Sequence, residues 1–227
     1  MGNNILLIAA NFLSCFIINI IIFQFMSERY ELKRLSIKKL YYPIILITSF
    51  LIVGINMLNN PILNLLSWLL TFGLFSAFLY DSNKINRLQR IVETNSLIML
   101  ITVIEALGSV LMDYILLKMN LYSREYQITR TFLEVTLSKI IIIFFYYIFI
   151  RRVWKKEWSN FYSPKRFLLY VILFAYSFLN MFVIIRSVSI MDSKEYSYLL
   201  LINSGCIVFA NLYFIYFILI LEFNFPF

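Results

Sequence analysis

Residues 5–26 read ILLIAANFLSCFIINIIIFQFM, an unbroken apolar run without a charge. A helix rises 1.5 Å per residue and the hydrocarbon layer of a bilayer is about 30 Å thick, so about 20 mostly apolar residues make one crossing. Six more runs of this kind follow, at 41–58, 62–80, 96–117, 131–150, 167–190 and 198–222. They are continuous rather than alternating and about twice the length of a barrel strand, which rules out a β-barrel reading. The expected fold class is therefore all-α: a polytopic membrane protein with seven transmembrane helices. No Gly-, Ser- or Pro-rich linker and no visible repeat divides the chain, so residues 1–227 are expected to form a single helical transmembrane domain.

Composition agrees. The 227 residues are 62% hydrophobic and 14% charged, with a mean hydropathy of +0.83. There are 0 histidines, which excludes a phosphoacceptor His, a Cys/His or Ser/His catalytic pair and any His-ligated metal within these residues. Cys15 and Cys206 both lie in apolar runs and read as small core residues. No catalytic residue, metal site or cofactor is expected, and the chain is not expected to be an enzyme. An intramembrane protease fails as well, because no paired Asp exists within helices and the adjacent Ser138 and Lys139 point about 100° apart.

Between the second and third runs stand only Asn59, Asn60 and Pro61, residues that stop one helix and start the next at its first turn. A tight antiparallel hairpin is expected there. The amino terminus has no basic stretch before its apolar run, so a cleaved signal peptide is not expected.

Charge orients the chain. The loops after the first, third and fifth runs hold fourteen Lys and Arg: Arg29, Lys33, Arg34, Lys38 and Lys39, then Lys84, Arg87 and Arg90, then the six between Arg151 and Arg166. The alternate loops hold four: Lys118, Arg124, Arg130 and Lys194. Basic loops resist translocation, so the richer set is expected inside, with the amino terminus outside and the carboxyl terminus cytoplasmic. The same split absorbs the net charge of +8 and makes a nucleic-acid partner unnecessary. Trp68, Trp154 and Trp158, with Tyr41, Tyr42, Tyr80, Tyr162 and Tyr170, mostly fall near the ends of runs and read as interfacial anchors. Abundant Ile, Asn, Lys, Tyr and Phe, whose codons are A/T-rich, associate the chain with a low-GC bacterium. The expected location is a bacterial cytoplasmic membrane, crossed several times.

Charged side chains inside a crossing cost several kcal/mol unless they meet partners or water, so each is a functional candidate. There are five: Glu105 and Asp113 in the fourth run, Glu134 and Lys139 in the fifth and Arg186 in the sixth. Counting from the inner ends puts Glu105 and Lys139 at mid-membrane, as an ion pair that is either structural or signal-coupling. Asp113, Glu134 and Arg186 count to the outer leaflet, where they form a candidate ligand-binding cluster. Opposite charges at matched depth can equally do no more than hold helices together. Glu93 and Glu222, near inner ends, are expected to reach interfacial water.

Seven crossings with the amino terminus outside, Glu105 amid the fourth, Leu137-Ser138-Lys139 in the fifth and Ile-Val-Phe-Ala-Asn-Leu-Tyr-Phe-Ile-Tyr from Ile207 to Tyr216 form a recognisable order. It resembles the membrane sensor region of GHKL-type histidine kinases, which include the Agr-like receptors for peptide pheromones. The matching positions are Glu105, Ser138, Lys139 and Asn211. The resemblance implies a quorum-sensing receptor that recognises an extracellular peptide and passes a shift through its last helix to a two-component kinase. The chain departs from that family in having no His, no charged coiled-coil extension, no Asn-rich ATP-binding motif and no glycine-rich lid. Pro226 would interrupt a helix continuing into the cytoplasm. An excised sensor region, a truncated gene and a sensor acting through a separate partner all remain open.

The expected partners are the lipid bilayer, an extracellular peptide or small molecule, and either a second copy in a homodimer or a cytoplasmic kinase. Two other classes fit the same features. One is a transporter component that holds a small substrate between helices; the other is an immunity or accessory protein against a peptide toxin.

Overall fold

The computed structural model describes residues 2–33, 40–58, 60–82, 86–118 and 127–151, with helical pieces at 168, 171–172, 175–180, 205–206, 209–210 and 213. In chain order the elements are α1 (Gly2–Arg29), β1 (Glu31–Leu32), α2 (Tyr41–Asn56), α3 (Pro61–Phe78), β2 (Tyr80–Asp81), α4 (Arg87–Lys118) and α5 (Gln127–Phe145), which runs on into a π-helical turn (Tyr146–Ile150). Among the described residues four stretches are long and apolar enough to cross a membrane: Ile5–Arg29, Pro61–Phe78, Arg87–Ser109 and Thr131–Ile148. The helix Tyr41–Asn56 is apolar but shorter. The expected sixth and seventh crossings, 167–190 and 198–222, fall mostly outside the described residues.

The helices tolerate their polar residues because hydroxyls bond back to the preceding turn. Thr48 donates to the Ile44 carbonyl at 2.6 Å, Ser49 to Ile45 at 2.8 Å and Ser96 to Val92 at 2.8 Å. A hydroxyl satisfied within its own helix adds little cost in an apolar surround. Asn60 opens α3 by accepting from the Ile62 and Leu63 amides, both at 3.1 Å, with Pro61 in the first turn. Such a cap contributes about 1 kcal/mol and fixes the hairpin between α2 and α3.

α4 packs between α3 and α5, while α1 packs on α2 and α5. Phe23 of α1 meets the edge of Phe72 at 5.6 Å between ring centres, and Trp68 stacks on Phe72 at 5.5 Å. Trp68 and Tyr80 are buried in this core and are not interfacial anchors, whereas Tyr42 is 74% exposed. The outward faces carry Ile47, Phe50, Leu51, Leu70, Phe78 and Ile140, each more than half exposed. Large apolar groups outside and Asn19, Ser49, Glu93 and Lys139 buried inside reverse the arrangement of a soluble bundle.

Among the described residues one feature departs from a purely helical fold. β1 and β2 pair as an antiparallel ribbon, Glu31 opposite Asp81 and Leu32 opposite Tyr80, extended by the Lys33 amide donating to the Leu79 carbonyl at 3.1 Å. The segments leaving α1 and α3 are too short to show alternation, so the ribbon arises from their being brought together at one end of the bundle rather than from β propensity.

Candidate functional site

Lys139 of α5 donates to Glu105 of α4 across the helix interface. The two partners are unequally solvated: the Lys139 side chain is 4% exposed and that of Glu105 37%. Their approach depends on Gly108, one turn beyond Glu105, because a Cβ there would come within 2.8 Å of Ser138 Cα. Only glycine lets the two backbones close so tightly, and the closeness brings the neighbouring Lys139 within reach of Glu105.

On its other side Glu105 lines a cleft of about 190 Å3 between α1, α3 and α4. Ile18, Ile22, Leu65, Trp68, Ile98 and Ile101 supply apolar walls; Asn64, Thr102 and Ser109 supply polar groups. Pro61 also lines it, so the cleft lies toward the α2–α3 hairpin end. The Thr102 hydroxyl is committed to the Ile98 carbonyl at 2.8 Å, whereas Asn64 Oδ1 has no hydrogen-bond partner.

A second polar cluster closes the opposite end. Glu93, expected to reach water, is fully buried. Its carboxylate accepts from Tyr30 Oη at 3.0 Å, Gln89 Nε2 at 2.9 Å and Arg29 Nε at 3.3 Å. Arg90, counted as a loop residue in the charge tally, lies within α4 and is also buried; it donates to the Ser76 carbonyl at 3.1 Å and to Asp81 at 3.3 Å. Lys33 donates to the Ala77 carbonyl at 3.3 Å, and Ser27 bonds the Tyr80 hydroxyl at 3.0 Å. Burial, reinforced by the Glu93 carboxylate, pushes the Tyr30 hydroxyl well above its ordinary value, so it remains a donor. Burial raises Tyr80 likewise. The ribbon and these rings exclude water from charges that in an isolated helix end would be solvated.

The two sites are joined along α4 and α1. Glu93 and Glu105 are twelve residues apart, about 18 Å of helix. At the clasped end α5 is tied to α1, with Tyr147 Oη donating to Gln24 at 2.9 Å and Arg151 Nη2 to Glu28 at 2.8 Å.

Of the expected ligand cluster, Asp113 and Glu134 belong to α4 and α5, past the Gly108–Ser138 contact from Lys139 and Glu105. Arg186 lies outside the described residues, as does Asn211. Cys15 is buried, 3.5 Å from Asn56 Nδ2, but Cys206 is exposed and does not fit a core role. Among the described residues no group of three or more His, Cys, Asp or Glu could hold a metal. The Glu93 cluster and the Gly108 contact are the two features sequence reasoning misses. Arg90 and Glu93 at helical spacing, with Arg29 and Tyr30 just past the first run, are the available signal for the cluster.

Fold and site together define the class: a helical membrane protein with polar clusters buried between apolar helices. Comparison with protein-family models, with curated proteins and with solved structures returns no match.

Proposed function

We propose that this chain is a non-catalytic, receptor-like sensor domain of a bacterial cytoplasmic membrane. It recognises an extracellular signal, a peptide, and transmits the event to a cytoplasmic histidine kinase, either a partner or a domain beyond this chain. In this reading the amino terminus is outside, seven helices cross the membrane and the carboxyl terminus is cytoplasmic. Asp113, Glu134 and Arg186 contact the ligand, and Glu105, Lys139 and Asn211 couple it to the inner face. A homodimer or a kinase is the immediate partner.

The observation that carries this reading is the ion pair shared between a cleft and a helix interface, with a clasp of buried charges at the far end. A ligand that alters the Glu105–Lys139 contact favours one packing of α4 on α5, and it shifts the population only by its differential affinity for the two packings. A coupling of about 1 to 3 kcal/mol suffices for a useful response.

The test is a transcript profile of host cells given the peptide fraction of their spent medium. The response is expected to vanish when the chain is deleted and to weaken in Glu105→Gln while the protein remains in the membrane. An unchanged response in the deletion strain contradicts the proposal.

The cleft among three helices also favours a second reading, a substrate-holding subunit of an uptake system. A small molecule that co-purifies with the solubilised protein, together with lost uptake on deletion, would select it.

A further inference from the structure

We propose that the cleft between α1, α3 and α4 binds a neutral apolar group carrying N–H or O–H donors, of the size of one amino-acid side chain with its adjoining amide. The inference rests on the receptor reading only in taking this cleft as one place where the signal touches the chain.

Size comes first. A dry cavity of about 150 Å3 accommodates benzene. The cleft, at about 190 Å3, therefore takes one branched or aromatic side chain and a few more atoms, not a folded peptide. Its walls are mainly Ile, Leu and Trp, which fit an apolar body.

Polarity comes next. Asn64 lines the cleft and its Oδ1 is without a partner. Glu105 accepts from Lys139, and no described residue donates to its second carboxylate oxygen. Among the described residues, then, the site offers two acceptor oxygens that no donor meets. That oxygen is buried in the structure, and a turn about the terminal torsion of Asn64 would present it to the cleft.

Charge then selects among donors. Lys139, 4% exposed, already neutralises Glu105 from behind. A ligand ammonium would add a second positive charge beside Lys139, whose counter-charge is already engaged, and a carboxylate ligand would face Glu105 directly. A neutral amide or hydroxyl meets both acceptors without either cost. An acyl chain fills the walls but leaves both acceptors unpaired.

The experiment uses the full chain in nanodiscs, with Trp154→Phe and Trp158→Phe so that Trp68 alone reports from the cleft wall. Three probes share one isobutyl body: N-acetyl-leucinamide, its fully N-methylated analogue, which has no N–H, and isoamylammonium. Saturable change in Trp68 emission is expected with the first, and at least roughly tenfold weaker binding with each of the others. Asn64→Leu, of similar size, is expected to shrink the gap between the amide and its methylated analogue. Tighter binding of the ammonium, equal binding of the methylated probe, or no saturable change overturns the inference. That failure is separable from failure of the receptor reading, which is judged by the response of cells rather than by binding to the purified chain.

Discussion

Lys139 and Glu105 form one ion pair, yet losing either partner has different consequences, because only one of them can reach the cleft. Glu105→Gln leaves a nearly inaccessible ammonium without a counter-charge and is expected to cost about 3 to 5 kcal/mol. Lys139→Met leaves a carboxylate with over a third of its surface open, so its loss is expected to be smaller. The exchange Glu105→Lys with Lys139→Glu recovers part of the stability. Thermal melting in detergent checks this order, and equal melting of wild type and Glu105→Gln contradicts the pairing. At the other end the titration of Tyr30 sets a pH dependence. Its folded pKa lies well above the ordinary value near 10, so between these values the unfolded chain has released a proton that the folded chain retains. Stability is therefore whole below about pH 10 and falls as pH rises beyond it. Tyr30→Phe, which also loses the bond to Glu93, is expected to melt lower at pH 8 but to decline less between pH 10 and 11. The Glu105–Lys139 pair is legible in the sequence because counting along two helices puts both residues at a similar depth, and opposite charges at one depth find each other. Glu93 and Arg90 are not, since a charge at a helix end looks solvated until something covers it. The cover comes partly from Tyr30 and from Tyr80, whose position in the chain reads equally well as interfacial anchoring.

Two glycines separate the local from the tertiary at the scale of helices. Gly54 in α2 has nothing within 4 Å of an added Cβ, whereas Gly108 in α4 faces Ser138 Cα at 2.8 Å. Gly54→Ala is expected to raise stability by about 0.5 to 1 kcal/mol through helix propensity alone. Gly108→Ala is expected to lower it by about 1 to 3 kcal/mol, through a forced separation of α4 and α5 that also lengthens the Glu105–Lys139 contact. Melting both variants side by side checks the account; a gain at both positions would mean that the α4–α5 approach is not tight. The α2–α3 hairpin is legible because Asn60 and Pro61 carry their capping chemistry locally. The start of α4 is not: apolarity alone begins the run at residue 96, while the helix begins at Arg87, because Arg90 and Glu93 are satisfied by partners on other elements. The two-residue strands are too short for any periodicity to reveal them.

Across the whole molecule, the ribbon fixes which ends belong together. It joins the segments leaving α1 and α3, and Glu93 brings the start of α4 to the same end. Those segments carry two of the three basic groups that the charge count assigns to the cytoplasm, and Arg151, which opens the third, binds Glu28 there. The hairpin at Asn60 is at the far end of α3, on the side toward which the cleft lies. A receptor reading requires the cleft to face outward and the buried clasp inward. Membership of the α1–α3–α4–α5 bundle is legible from hydropathy, but direction depends on the membrane and on charge asymmetry, which no packing contact records. Single cysteines at Asn60 and Ser82, in a chain with Cys15 and Cys206 replaced, decide it by labelling intact cells with a thiol reagent that does not cross membranes. Labelling of residue 60 from outside, with residue 82 reacting only after lysis, is the predicted result; residue 82 reacting in intact cells while residue 60 stays protected would contradict it.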